Sequence, residues 1–379
     1  MKLGFISDVH VGNASVFPGS VELGMNQRCR DTIDALREAV KCAWNMGVHE
    51  LFILGDLFDT HRPIPQMVKA VRDALAGVNV TILRGNHDAR TDREHDDAIS
   101  VIQSVSSSSR IRVMSNPGAL LVHGPRGQMA RAIVVPHRSD RPMRQAVKET
   151  VRGSDLGGGL VNFLLFHAGL QDDTTPAYLR SDDATVDTET LAEIMQEREG
   201  IAAAFCGDWH TPKDLFVCQD PRPVVQVGSL VPTDFGETGF DQHGLVTWDL
   251  GSLYPSRTIV PGPRLVKAPS PTPELWDEIA AKLAIGEATK VYASFHPTTR
   301  ELADQARAEC EANAAYLEGW RVLPDVHAVK EKAGTQVQSV REARTLDAAL
   351  AAHCAALSLP AGVTADEVYH RVRAILSET

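Results

Sequence analysis

Residues 51–59 read LFILGDLFD: a four-residue apolar run, a glycine, and two carboxylates flanking Leu-Phe. The run has the length of a buried strand, and Gly55 lets the backbone turn so that Asp56 is left at the strand's carboxyl end. The same pattern occurs four more times: residues 3–6 precede SDVH, 80–83 precede RGNHD, 163–166 precede HAGL and 202–206 precede GDWH. Helical spacing lies between some of these runs. Residues 31–46 place Ile33, Leu36, Val40 and Ala43 on one stripe that stops at Gly47, and residues 66–75 follow Pro65. Buried strands alternating with helices predict an α/β sheet covered on both faces, in which ligands collect beyond the strands' carboxyl ends. All five polar clusters then share one rim.

At 379 residues the chain is long enough for two folded units, and its 43% apolar and 23% charged content is ordinary for a globular protein. Asp8 interrupts the only apolar stretch near the start, and no run reaches eighteen apolar residues, so the sequence predicts a cytoplasmic chain with no membrane association. Six cysteines without a close pair suggest neither a zinc knuckle nor a disulfide framework. A net charge of −11 argues against a broad basic face for nucleic acid, but it is compatible with carboxylates gathered to hold cations.

Residues 104–109 and 157–159 read as surface loops, and Pro- and Gly-rich turns between 254 and 271 mark a boundary. The predicted organisation is a domain over 1–262, a small α/β cap over 263–330 and a helical region over 331–379. In the cap, residues 291–295 and 320–323 read as strands. Residues 298–317 read as a helix with Leu302, Ala306, Cys310 and Leu317 on one stripe. Two further helices, 346–357 and 365–376, close the chain, the second opened by a capping box from Thr364 to Glu367.

Asp8 and His10, one residue apart at a strand end, can serve one ion together. So can Asp208 and His210. Asn86 offers a neutral oxygen, His87 a proton and Asp88 a further carboxylate, while His167 ends its own apolar strand. Each has an ordinary alternative: an incidental pair, a helix cap at Asp56, a turn at 86–88, a satisfied core histidine at 167. Five strand ends with such groups are harder to assign to turns. A thiolate-free set of Asp, Asn and His suits divalent ions of borderline to hard character, manganese among them, and two ions sharing a carboxylate would clamp a phosphorus centre for in-line displacement.

The clusters DVH, GDLFD, GNHD, a lone His and GDWH, in this order, resemble the five motifs of calcineurin-like metallophosphoesterases. Within that superfamily the chain resembles SbcD-type nuclease subunits. Arg28 and Asp31, residues 133–137, and Gly228, Ser229 and Leu230 followed by TDFGE carry this finer likeness. The resemblance covers residues 1–250 and implies a β-sandwich core flanked by helices. It further implies a two-metal nuclease that hydrolyses DNA phosphodiesters. Asp8, His10, Asp56 and His210 would serve one metal, and Asp56, Asn86, His167 and Asp208 the other. His87 would be the general acid, oriented by Asp88. Asp208 stands where the family has histidine, which shifts preference towards harder ions, with Mn2+ expected. DNA, an SbcC-like ATPase and a second copy of this chain are the partners implied. No Walker A or G-x-G-x-x-G loop is present, so no ATP site is expected in this chain.

Other readings remain open. One is a small-molecule phosphodiesterase or phosphatase, and another a weakened scaffold subunit. A basic stretch, Arg126 to Arg152, suggests Arg138, Arg141 and Arg144 as phosphate contacts, with a solvated helix face as the plain alternative. The terminal helices, with apolar stripes at Leu346, Leu350 and Leu357 and at Val368, Tyr369, Val372, Ile375 and Leu376, are read as the docking site for the ATPase.

Overall fold

The computed structural model describes residues 1–323 and Tyr369, except 14–18, 90, 92–96, 106–109, 174, 176–182, 199, 217–221, 238–241, 251 and 253. Two compact units divide it. The first takes Met1–Lys267, Pro273–Ala293 and Ala314–Trp320, the second Ala268–Thr272, Ser294–Asn313 and the described residues from Arg321 on.

The five apolar runs are strands, but they do not line one sheet. Lys2–Ile6, Glu50–Ile53 and Val80–Leu83 lie side by side and parallel in one six-stranded sheet. Val161–His167 and Ile201–Gly207 lie parallel in a second six-stranded sheet. Gly244–Asp249 returns antiparallel to Lys2–Ile6 in the first sheet, and Gly118–His123 and Met129–Val135 extend the second.

Both faces are covered over the five central strands, which is why these show no polar alternation, whereas the edge strand Gly118–His123 alternates exposed with less exposed residues. Inward residues meet between the sheets: Phe5 stacks on Phe205 with centroids 3.8 Å apart and on Phe52 at 5.5 Å, while Phe163 meets Phe5 edge-on. Burying each ring contributes roughly 1.5–3 kcal/mol. Outward residues Leu51, Ile53, Val80 and Ile82 form a core with the helices Gln27–Asn45, Pro65–Ala74 and Ala98–Val105. On the second sheet Leu164, Phe166, Ala204 and Cys206 pack with Met143–Gly153 and Thr188–Glu197. The result is a β-sandwich flanked by helices, the α/β class that the sequence resemblance implied.

The first helix starts at Gln27, four residues before the start expected at 31, because the Asn26 side chain caps it by accepting the Cys29 N–H at 2.7 Å. Beyond residue 250 the order is strand, strand, helix, strand, helix, strand. In the second unit Arg300–Ala312 buries Ala303, Ala306 and Cys310, so the stripe runs through Ala303, and Leu302 is exposed. The helix stops at Ala312 and a single tight turn, Ala314–Tyr316, follows where the sequence predicted continuation. Cys29, Cys42, Cys206 and Cys310 are free thiols. No described helix is long and apolar enough to cross a membrane. The two terminal helices predicted at 346–357 and 365–376 lie, but for Tyr369, outside the described residues.

Candidate metal centre

The two sheets are joined at their carboxyl ends by the site itself. His10 N donates to Asp56 O at 3.0 Å and Asp8 N to Gly55 O at 3.1 Å, so the turns after the first two strands run together. Across the sandwich the Asp208 N–H lies 3.1 Å from the Asp8 carboxylate, and His167 Nδ1 donates to Leu54 O at 2.6 Å. Gly55 permits this last contact: it adopts φ +103°, and a Cβ there would fall 2.1 Å from His167 Nδ1.

Six described residues other than glycine have left-handed φ, and four of them are Asp8, His10, Asp56 and Asp208. Such backbone costs on the order of 1–3 kcal/mol per residue and persists only where the surroundings enforce it. Here it turns each side chain off its strand end towards a common centre.

Three histidines present the same nitrogen to that centre. The Nδ1 of His10 lies 2.9 Å from Asp59 Oδ1, that of His210 2.6 Å from Glu237 Oε1, and that of His167 on the Leu54 carbonyl. With Nδ1 as donor, Nε2 is left as the lone-pair nitrogen. His10 Nε2 is 3.1 Å from His210 Nε2 and 3.7 Å from Asp56 Oδ2. His167 Nε2 is 2.9 Å from Asn86 Oδ1, 3.5 Å from Asp56 Oδ2 and 3.7 Å from Asp208 Oδ1. The Asn86 amide terminus at this point sits 3.2 Å from carboxylate oxygens of both Asp56 and Asp208, where its NH2 would donate to them and its oxygen would need a cation between. Acceptors converge in this way around a positive charge. The donor set therefore fits divalent cations, and ligand atoms of Asp8, His10 and His210, of His10, Asp56 and His87, and of Asp8, Asp56 and His167 fall within 4.8 Å of one another.

The electrostatics agree. Burial works against charge on Asp56, yet His167, His10 and His87 hold its carboxyl well below the usual range. Burial, reinforced by Asp8 and Asp56, pushes Asp208 up to about 6. His210 is held up at about 9, because its hydrogen bond to Glu237 and the charge of Asp8 outweigh its burial. His167, wholly buried, is raised well above its ordinary value by Asp56, Asp8 and Asp208. Protons thus gather where the acceptors converge.

His87 stands apart as an exposed histidine at the rim, its ring edge-on to His10 at 4.8 Å and its backbone N–H on Asp56 Oδ1 at 2.9 Å. Asp88 does not orient it. That carboxylate is fully buried, accepts the N–H groups of Phe58 and Gly85, both at 2.9 Å, and is pushed up to about 7 chiefly by burial and then by Asp56. The carboxylate beside the His87 ring is Asp59, 3.6 Å from Nδ1. Sequence reasoning gave no site role to Asp59, whose signal was its position three residues after Asp56, or to Glu237, which it noted only as part of the TDFGE resemblance.

The arginines expected to contact phosphate lie elsewhere. Arg138 and Arg141 both pair with Asp140, and Arg141 also with Glu149, on a cleft of about 570 Å³ whose lining holds none of the residues above. Asp140 and Glu149 offset the two guanidiniums, and Asp155 adds a further carboxylate to the lining. Arg144 lines another cleft with Asp172, Asp173, Asp187 and Glu193. Arg138 and Arg141 are paired with carboxylates of their own stretch, while Lys148 and Arg152 pair with Glu193 and Glu197 of another helix, which a count along one segment does not register.

Residues 1–212 match the family model described as calcineurin-like phosphoesterase. No curated protein matches the chain. Among solved structures, similarity extends to a dimetal phosphatase from Danio rerio, at 14% identity over 65% of this chain and 91% of that one, with a TM-score of 0.38. A purple acid phosphatase from yellow lupin (Lupinus luteus) seeds gives 14% identity over 65% of this chain and 48% of the other, with a TM-score of 0.39. The Pseudomonas putida nuclease MPE gives 18% over 43% and 59%, with a TM-score of 0.22. At these scores none of the three bears on substrate.

Proposed function

Because the chain belongs to the calcineurin-like phosphoesterases, we propose that it is a divalent-metal-dependent phosphodiesterase acting on DNA. The observation that carries the hydrolytic part is the pairing of a buried acceptor cluster with one exposed histidine, His87, at its rim. The DNA part is supported by the SbcD-like motifs around Arg28, Gly228–Leu230 and TDFGE.

Asp8, His10, Asp56 and His210 would hold one ion, and Asp56, Asn86, His167 and Asp208 a second, with Asp56 shared. When bound, two such ions supply neutralising charge and Lewis-acid activation of water and phosphoryl oxygens. The protein's own groups do the rest. Asp59, Glu237 and Leu54 O keep three imidazoles in the tautomer that leaves Nε2 unprotonated. His87, with Nδ1 beside Asp59, presents Nε2 to donate a proton to the departing sugar oxygen. Carboxylates outnumber thiolates in the set and Asp208 replaces a nitrogen donor, which favours Mn2+ over softer ions.

The test is cleavage by the purified protein, with Mn2+, of labelled duplex DNA, single-stranded DNA and a small phosphodiester. Turnover of the small diester alone would replace the DNA reading with that of a small-molecule phosphodiesterase. An SbcC-like ATPase is the proposed partner and the terminal helices its proposed dock. A chain truncated after Arg344 should keep metal-dependent cleavage and lose co-purification with that ATPase.

A further inference from the structure

The segment between Gly228 and Glu237 wraps the back of His210. Ser229 N donates to His210 O at 2.9 Å, and Leu230 N to Ser7 O at 3.0 Å, which ties the segment to the turn that carries Asp8. Gly228 makes the approach possible: at φ +78°, a Cβ would stand 2.7 Å from His210 O and 2.8 Å from Pro212 N. Further along, buried Arg28 donates to Pro232 O while its guanidinium lies 5.5 Å from the centre of the Tyr292 ring.

This wrapping delivers one carboxylate. Glu237 keeps only 8% of its side chain exposed, and Oε1 lies 2.6 Å from His210 Nδ1. Its other oxygen accepts from Ser229 Oγ at 2.9 Å and from Thr233 N at 3.0 Å. Thr233 Oγ1 donates to Oε1 and lies 2.8 Å from the same His210 nitrogen. Ser229 Oγ is also 3.0 Å from Nδ1 of buried His243. Both carboxylate oxygens are thus held by fixed donors, so the carboxylate cannot swing away from the imidazole without breaking several hydrogen bonds.

We infer that Glu237 is a positioning residue: clamped by Ser229 and Thr233, it holds His210 in the orientation and tautomer that present Nε2 to the cation shared with His10 and Asp8. The inference rests on the two-ion reading above. His10 and His167 have comparable supports in Asp59 and Leu54 O. Glu237 differs in coming from a segment outside the strand-end turns, beyond the residues the family model matches. One ligand of the first ion is therefore held by a carboxylate from a segment beyond the five strand-end turns, whereas His167 of the second ion is held by the backbone of Leu54 at a strand end.

Calorimetric Mn2+ titration of the full-length wild type, Glu237→Ala and Glu237→Gln separates the possibilities. Removing a carboxylate behind a ligating histidine weakens metal binding by roughly ten- to a hundredfold. Glu237→Ala should show that loss at one of two sites with the other unchanged. Glu237→Gln, which can still accept the Nδ1–H bond, should recover part of the affinity at the same site. Wild-type affinity at both sites in Glu237→Ala, or equal loss at both, overturns the inference. Should Glu237→Ala not fold, Glu237→Gln decides alone: loss confined to one site supports the assignment, and two unaltered sites refute it. A wild type that binds no Mn2+ would instead bring down the two-ion reading and this inference with it.

Discussion

The Asp59 carboxylate lies 3.6 Å from Nδ1 of His87, and the same oxygen lies 2.9 Å from Nδ1 of His10. The same carboxylate oxygen therefore hydrogen-bonds a buried imidazole of the acceptor cluster and faces the exposed imidazole at its rim. Asp59→Asn should lower kcat by about ten- to a hundredfold through the disturbed orientation of both rings. His87→Ala should lower kcat by about a hundredfold or more and leave Mn2+ binding intact. Steady-state kinetics beside calorimetry would show it, and loss of both ions from His87→Ala would refute the division of roles.

Asp56 is the residue on which the two proposed ligand sets meet. Asp56→Asn keeps an acceptor for the His87 N–H but removes the central charge. The expected outcome is a folded protein, by circular dichroism, that binds neither Mn2+ ion with wild-type affinity and has no measurable cleavage. Full binding of both would remove Asp56 from the bridging position.

Asp208 lies 3.7 Å from His167 Nε2 and is the carboxylate proposed as a ligand of the second ion. Asp208→His should shift the ratio of Mn2+- to Zn2+-supported activity towards Zn2+, since a nitrogen donor replaces an oxygen. An unchanged ratio would mark Asp208 as a turn residue rather than a ligand.

The metal-free protein should lose thermal stability as pH rises from 5 to 9. Asp208 is raised to about 6, Asp88 to about 7 and His210 to about 9, so each holds its proton more tightly folded than unfolded. A raised folded-state value gives stability that is complete below the unfolded value and is lost as pH passes the folded one. Glu237, lowered to about 2 because its bonds to His210 and Thr233 outweigh burial, acts in the opposite sense, and its contribution fades only below pH 4.5. Mn2+ affinity should rise across the same interval as these protons leave. Melting curves at several pH values, with and without Mn2+, test both signs. A metal-free melting temperature that climbs from pH 5 to 9 would contradict the assignment.

The five strands and the residues that follow them were legible in the sequence, because a strand buried on both faces must be a continuous apolar run and because glycine marks where the chain turns. Asp8, His10, Asp56, Asn86, His167, Asp208 and His210 could all be named from that pattern. That the strands belong to two sheets could not be read, since strand pairing is set by contacts far apart in the chain, and runs apolar on both faces look alike in either sheet. Only the folded chain revealed that Asp88 is spent on the backbone of Phe58 and Gly85, that Asp59 stands beside His87, and that Glu237 reaches His210 from 27 residues away. The charge of Arg138 and Arg141 was visible as a local count, but its neutralisation depended on where Asp140 and Glu149 came to lie. Side-chain type and strand-end position are properties of a short segment. Which acceptor a given imidazole or guanidinium finds is a property of the packing between segments, and that was decided by the tertiary structure.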